Sequence, residues 1–310
     1  NKWGWEAVGY DHRHESIEGF VNFHEFQIGG VAIMPAEGEL KTVRGTLEEP
    51  DSGYRSRFSH ENEIARPGYY KVMLDDYGVE AELTSTRRVA FHRYTFPESD
   101  RARILFDIGH RQGESGEVSD AFVRMTSDTT LEGFVSTLPE YVKNYQQGAQ
   151  VKMYFVAELD KAPKQVGSFI DKQVNPGEHS VQGKGCGLYL NFETRADESI
   201  HIKVGLSYTS IDNARKNLKA EASDLRFDDA RRAARKSWNQ MLGRIAVEGG
   251  KEEDRTKFYT GLYHALLGRG VASDVNGAYV KNDGSIGQIP LGEDGSPLYH
   301  HYNTDAVWGA

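Results

Sequence analysis

Between about residue 15 and residue 210 the chain is a succession of short apolar or alternating runs, each followed by a turn signal. "GFVNFHEFQIGGVAIMP", "GYYKVMLDDYGVEAELTSTRRVAFHRYTF", "ARILFDIG", "EGFVSTL", "VKMYFVAEL", "GLYLNFET" and "IHIKVGLSYT" succeed one another with no helical stretch between them. In "VEAELTSTRRVAFHRYTF" apolar positions recur every second residue for much of the length, which reads as one half-buried strand. "DDYG" supplies the turn before it. Many strands without intervening helices predict a mainly β fold, a large antiparallel β-sandwich of roughly 200 residues.

Near residue 212 the pattern changes. In "NARKNLKAEA" and "FDDARRAARKSWNQMLGRI" the residues Phe227, Ala230, Ala234, Trp238 and Met241 recur at helical spacing. Asp228 and Asp229 come early and Arg235 and Lys236 late, in the sense that the helix dipole favours. After "EGG" a second helix is expected across "EDRTKFYTGLYHALLG". Phe258, Leu262, Ala265 and Leu266 form its stripe, and Gly268 can end it. A two-helix linker therefore leads from the sandwich into a further unit.

At 310 residues the chain has room for two domains, and a 38% hydrophobic fraction is enough for a core. A formal charge of −9 argues against a nucleic-acid partner, because phosphate backbones require a basic face. No apolar run approaches the roughly 20 residues that cross a bilayer. The chain opens at "NKWGWEAVGYDH" without an initiator methionine, so a missing leader carries no weight. The lone Cys186 excludes an internal disulfide and a cysteine metal cluster. Gly183, Gly185 and Gly187 around it precede a strand-like run rather than a helix, which favours a glycine-rich turn or bulge with a buried thiol over a phosphate cradle.

Four groups of residues are candidates for chemistry. His12 and His14 are two apart, so on a strand both face one side and, with Asp11 or Glu15, offer part of a metal site. No third and fourth ligand is identifiable, and two exposed or hydrogen-bonded histidines at a loop-to-strand junction explain the pattern more simply. His24 and Glu25 point to opposite faces of a strand, so at most one enters a given pocket; a core histidine satisfied by backbone is the competing reading of His24. Asp75–Asp76 and Asp228–Asp229 are adjacent pairs and not the separated carboxyl groups that glycoside hydrolysis needs; they read as turn and helix-start residues. Trp3 and Trp5 flank a glycine and suit the apolar face of a sugar, though tryptophans equally belong to cores, and the same holds for Trp308.

Several of these stretches together resemble one family, the exo-acting α-mannosidases of glycoside hydrolase family 92. The long block from Tyr54 to Pro97 resembles that family's N-terminal domain almost throughout. "GYDHRHESIEGFVNFHEF" resembles a segment with two histidines, His24 standing at the second. "FYTGLYHALLGRGVASDVNGAY" (Phe258 to Tyr279) resembles the passage that introduces the catalytic domain. The resemblance implies a β-sandwich over 1–211, a helical linker over 212–272 and the start of an (α/α)6 barrel over 273–310. It also implies a calcium ion that grips mannose hydroxyls, inversion by an acid–base carboxylate pair, and an α-mannoside glycan as substrate. The calcium ligands and both catalytic carboxylates belong to the barrel beyond this sequence, so no catalytic or metal residue is expected within it.

The residues carried over by the resemblance are substrate contacts. Trp5 matches a tryptophan that reaches into the monosaccharide pocket from the sandwich, and His24 lies in the same region. Trp308 matches a tryptophan whose next residue in the family is a sugar-binding aspartate; Gly309 stands there instead, with Asp305 as the nearby compensating acid. "YHHYNTDAVWGA" is thus expected to open a catalytic barrel, not to end a protein. The family further implies export to a bacterial periplasm, cell surface or medium, and a sandwich packed against its own barrel. Two other readings stay open: a non-catalytic carbohydrate-binding sandwich, and a domain that only buttresses the barrel.

Overall fold

The structure, a computed structural model, describes residues 12–23, 29–112, 116–138, 150–267 and 270–302. The chain begins with the short strands β1 (Ser16–Ile17) and β2 (Phe20–Val21), then β3 (Ala32–Ala36) and β4 (Ser56–Arg57). A meander follows in β5 (Ile64–Arg66), β6 (Tyr69–Leu74), β7 (Val79–Ser85) and β8 (Val89–Phe96). β9 (Ser99–Asp107) crosses to the other layer, and β10 (Glu117–Ser127), β11 (Thr130–Leu138) and β12 (Val151–Leu159) return to the first. The remaining sandwich strands are β13 (Gln165–Ile170), β14 (Gln173–Pro176), β15 (Ser180–Gln182), β16 (Cys186–Thr194) and β17 (Glu198–Ser207).

These strands form the expected antiparallel sandwich. One sheet has nine strands in the order β15-β10-β11-β12-β17-β8-β7-β6-β5, the other six in the order β14-β13-β16-β9-β3-β2. Alternate residues of each strand point inward. Val79 and Ala81 on β7, Tyr94 and Phe96 on β8, and Ala102, Ile104 and Phe106 on β9 all sit in one core. Burying each large apolar side chain there contributes roughly 1.5–3 kcal/mol. Cys186 is buried at the start of β16, with Gly185 before it at φ +70°, and burial pushes its thiol up to about 12. The glycine-rich turn with an inert buried thiol is what the structure contains.

Residues 79–96 do not form a single strand. They form a hairpin, β7 paired with β8 from Glu80–Thr95 to Ser85–Ala90, folded at Thr86–Arg88. The two-residue alternation continues on both sides of the fold, so the period gives no sign of it. Asp75 and Asp76 behave as expected, in the turn before β7, where Asp76 accepts from the Arg57 backbone amide at 2.7 Å and from its guanidinium at 3.0 Å.

Three helices follow where two were expected: α1 (Ile211–Ala222), α2 (Phe227–Leu242) and α3 (Glu252–Leu267). Ser210 caps α1 by accepting from the Asn213 amide at 3.1 Å, a local bond that supplies a start signal. Ala214, Leu218 and Ala222 lie against Val89, Phe91 and Val156 on the outer face of the nine-stranded sheet, with Phe227 and Ala230 of α2 in the same cluster. Asp228 and Asp229 occupy the first turn of α2, and Trp238 packs on Tyr263 of α3 with ring centres 4.8 Å apart. α3 buries none of its residues against the described chain, and Phe258 of its apolar stripe is exposed. Beyond it, β18 (Ala278–Val280) and β19 (Ile286–Gln288) form a small hairpin.

α1 approaches the sheet most closely over Gly205. A Cβ there would stand 2.5 Å from the Ala214 carbonyl oxygen and 2.6 Å from Leu218 Cβ. Gly205→Val is expected to lift α1 and lower stability by roughly 1–3 kcal/mol, since a backbone oxygen cannot rotate away. An unchanged melting temperature would show that α1 tolerates displacement from the sheet.

Candidate functional site

The sandwich meets the segment after the helices in a cleft of about 210 Å³. The Thr86–Arg88 turn, the end of β17 at Leu206–Tyr208, the pair Asn22–Phe23 and residues 270–274 surround it. Each of these pieces is held by a polar contact from a distant element.

The turn is held by Glu221 on α1. One carboxylate oxygen accepts from the Thr86 hydroxyl at 2.6 Å and the Arg88 amide at 3.0 Å, and the other accepts from the Arg88 guanidinium at 2.7 Å. Arg88 is buried, so its charge needs this partner; its Nε donates to the Ser273 carbonyl at 2.6 Å and ties the far wall to the turn. The turn closes locally, the Thr86 amide donating to the Val89 carbonyl at 2.9 Å and the Val89 amide to the Thr86 hydroxyl at 3.2 Å, and Glu221, 133 residues from Arg88, anchors it.

The far wall is latched by Asp274. Its carboxylate accepts from Ser207 Oγ at 3.0 Å and from the Thr209 hydroxyl on one oxygen, and from Asn217 Nδ2 at 2.7 Å on the other. Asn217 is fully buried, and its own oxygen accepts from the Val275 amide at 2.9 Å. The near wall rests on His92, whose Nε2–H donates to Asn22 Oδ1 at 2.7 Å while Nδ1 accepts from the Tyr94 hydroxyl at 2.8 Å. Burial alone holds His92 down at about 3, so the ring is neutral. Asn22 in turn donates to the Val31 carbonyl at 2.6 Å, and Phe23 meets Tyr208 edge to face with ring centres 5.2 Å apart.

At the rim, Arg87 donates to His300 Nε2 at 2.8 Å. Burial, then the charges of Arg87 and Arg88, lower the His300 pKa and keep a neutral acceptor there. The cleft thus offers guanidinium, hydroxyl and amide groups, a set suited to orienting a hydroxylated ligand. Among the described residues that line it, Asp274 is the single carboxylic acid, and both its oxygens are occupied. That donor set does not make a calcium site, and among the described residues no group of three or more His, Cys, Asp and Glu side chains is placed to hold a metal ion. Nor does it supply the two facing carboxyl groups of glycoside hydrolysis.

The four residues expected to touch sugar, Trp5, His24, Asp305 and Trp308, lie outside the described residues, as do Trp3, Glu25 and Gly309. Two described neighbours lie in or beside the cleft. Phe23, which precedes His24, lines it, and Tyr302 bridges to the lining residue Val271. His12 and His14 are exposed and lie before β1 rather than on a strand, which removes the shared-face argument for a metal. The His12 ring instead packs on His60 with centres 4.1 Å apart. Arg87, Arg88, Glu221 and Asp274 are not singled out by the sequence; "STRR" reads as strand interior and "ASD" as the junction of linker and barrel.

Comparison with known proteins accords with this architecture. Residues 1–207 match the glycosyl hydrolase family 92 N-terminal domain and residues 213–310 match the family's catalytic domain. The chain belongs to glycosyl hydrolase family 92. It is similar to the family GH92 alpha-mannosidase BT3965 from Bacteroides thetaiotaomicron, with 31% identity and a TM-score of 0.85, over 97% of this chain and 39% of that one. The GH92 family glycosyl hydrolase ccman5 is similar at 25% identity and TM-score 0.79, over 97% of this chain and 40% of that one. The inverting mannosidase BT2199 from Bacteroides thetaiotaomicron VPI-5482 shares the fold at 24% identity and TM-score 0.74, over 96% of this chain and 37% of that one. The chain therefore spans about two fifths of the length of these structures. No curated protein matches it.

Proposed function

We propose that this chain is the sandwich-and-linker portion of an inverting exo-α-mannosidase and forms one wall of its sugar pocket. The observation that carries the reading is the cleft itself. It lies where residues matching the family's N-terminal domain face residues 270–274, which match its catalytic domain. The Asp274 latch and the Arg88–Glu221 pair make that junction rigid, so contacts from the sandwich side would be presented in a fixed position.

In this reading Trp5, His24 and Trp308 contact mannose, and Asp305 takes over hydroxyl binding where Gly309 replaces the family's aspartate. Glycine cannot accept those hydroxyl protons, so the sugar recognised is a modified mannose or one in a different linkage unless Asp305 restores the contact. The acid and base carboxylates and the calcium ligands belong to the barrel portion, as does the surface that would cover the exposed stripe of α3. Export to the periplasm, cell surface or medium belongs to the same proposal.

The 310-residue chain is expected to show no turnover of an α-mannobiose and no measurable heat of binding with oligomannosides. The complete protein is expected to hydrolyse the disaccharide with inversion, read by NMR of the first-formed anomer, and to lose activity to a calcium chelator. Chelator-sensitive turnover by the isolated chain would overturn the division of labour. Tight oligomannoside binding by the isolated chain would favour a carbohydrate-binding sandwich instead.

A further inference from the structure

A second cleft, of about 280 Å³, lies at the other end of the sandwich. β8 runs from the turn beside the first cleft to Phe96, and β9 starts three residues later at Ser99, near the second. At roughly 3.3 Å per residue, the length of β8 puts about 26 Å between them.

Arg101 and Arg103 of β9, Lys164 ahead of β13, and Asn191 of β16 converge on this cleft, with Asp100 as its one lining carboxylate. The two outer cations have carboxylate partners, Arg101 in Glu37 and Asp100 and Lys164 in Glu193. Arg101 and Lys164 are rim groups with most of their surface in water. Arg103 is different: it is 6% exposed, and it stands opposite Asn191 in the register of β9 and β16.

Its guanidinium is held and yet incompletely satisfied. Nε donates to Asn191 Oδ1 at 3.3 Å, whereas NH1 is buried with no hydrogen-bond partner among the described residues. The nearby acids pair with the rim rather than with Arg103: Glu193 with Lys164 at 2.9 Å, and Glu37 with Ser99 at 2.9 Å and Arg101 at 3.8 Å. Burial accordingly draws the Arg103 pKa below its ordinary value. A buried guanidinium with a neutral acceptor for its single contact is costly, and an aliphatic side chain would fill the same place at lower cost. A planar fork of donors, fixed by an amide and flanked by two exposed cations, is matched to the oxygens of a tetrahedral anion.

We propose that this cleft binds an oxyanion, sulfate or phosphate, free or as an ester on a sugar. Arg103 is the buried anchor, Arg101 and Lys164 are the rim cations, and Asn191 positions the guanidinium. The site is independent of the mannoside pocket and stands whether or not the complete protein cleaves mannosides.

The test is thermal melting and calorimetric titration of the full chain with sodium phosphate, sodium sulfate and glucose 6-phosphate, each against chloride at equal ionic strength. Phosphate and sulfate are expected to raise the melting temperature above the chloride control. Arg103→Met is expected to weaken binding about tenfold or more, since it removes a charge-assisted contact. Lys172→Ala, on the exposed turn after β13, changes net charge and is expected to leave binding intact. If Arg103→Met does not fold, Asn191→Asp places an internal counter-charge on the guanidinium and should abolish binding while raising the melting temperature. Tighter binding of glucose 6-phosphate than of phosphate assigns the ester form, and the reverse order assigns the free anion. No phosphate- or sulfate-specific shift over chloride, or a shift that survives Arg103→Met or Asn191→Asp, overturns the proposal.

Discussion

Replacing Asp274 with alanine is expected to release residues 270–302 from the sandwich at a cost of about 3–5 kcal/mol. The carboxylate gathers donors from Ser207, Thr209 and Asn217; its removal leaves the fully buried Asn217 amide with the Leu206 carbonyl as its one acceptor and the two buried hydroxyls with only each other as acceptors. Domain stabilities of roughly 5–15 kcal/mol make such a loss severe. The loss should be local first. Hydrogen exchange at the Ala272, Val275 and Ala278 amides, which are bonded to His301, Asn217 and Asn276, is expected to accelerate before the sandwich core responds. Asp274→Asn retains one acceptor oxygen and should recover part of the stability. Uniform acceleration through the core strands would show that the segment and the sandwich unfold together, against the latch as drawn.

Acidification is the second large effect, and its sign follows from His92. The folded-state value lies at about 3, below the ordinary value of 6.5, because burial disfavours the imidazolium. The unfolded chain therefore binds a proton that the folded chain refuses, and stability is lost as pH falls through the window from 6.5 toward 3. The loss accumulates to about 3–5 kcal/mol at the bottom of that window. Two other groups act in the same fold, buried Asp107 and half-buried His110. The Asp107 carboxyl is pushed up by burial, but the Arg44 charge and the His110 contact outweigh this and leave it lowered, so it also loses stability in acid. His110 is pulled down by burial and raised overall by Asp107 and Asp171, so its contribution is present in acid and fades as pH rises. Both are unchanged in His92→Gln, so the difference between the two proteins isolates His92. Urea melts from pH 4 to pH 7 should give the variant a pH slope shallower by up to one proton. Parallel slopes would mean that His92 is protonated in the folded state or that the cleft wall opens before it titrates.

Much of the fold was legible in the sequence because strand periodicity and helix-start chemistry are local. The antiparallel sandwich, the turn at Asp75–Asp76, the buried Cys186 and the acidic start of α2 all follow from residues within a few positions of one another. Two errors share one cause. The Thr86–Arg88 fold was read as strand, and α1 was not separated from α2, because each depends on what packs against it. Glu221 anchors the first, whose own Thr86–Val89 bonds leave the two-residue period unbroken, and the outer face of the nine-stranded sheet receives Ala214 and Leu218 of the second.

The candidate site was less legible. Trp5, His24, Asp305 and Trp308 came from resemblance, while the groups that build the cleft came from long-range bonds. No local pattern connects Arg88 with Glu221, or Asp274 with Ser207 and Asn217. Arg103 shows the reverse case. In sequence it is one of two arginines near the start of a strand, indistinguishable from its exposed neighbour Arg101, and only the folded sheet buries it with no carboxylate hydrogen-bonded to it among the described residues.

By itself, then, the sequence determined the class of structure: an antiparallel sandwich followed by helices, an acidic start for α2, a buried lone thiol, and an acidic chain. Those properties arise from side-chain alternation, caps and composition, all of which act along the chain. The tertiary structure decided where charges end up relative to one another. Buried ions and amides are tolerated only beside their partners, and those partners are brought together by packing across sheets, not by proximity in sequence.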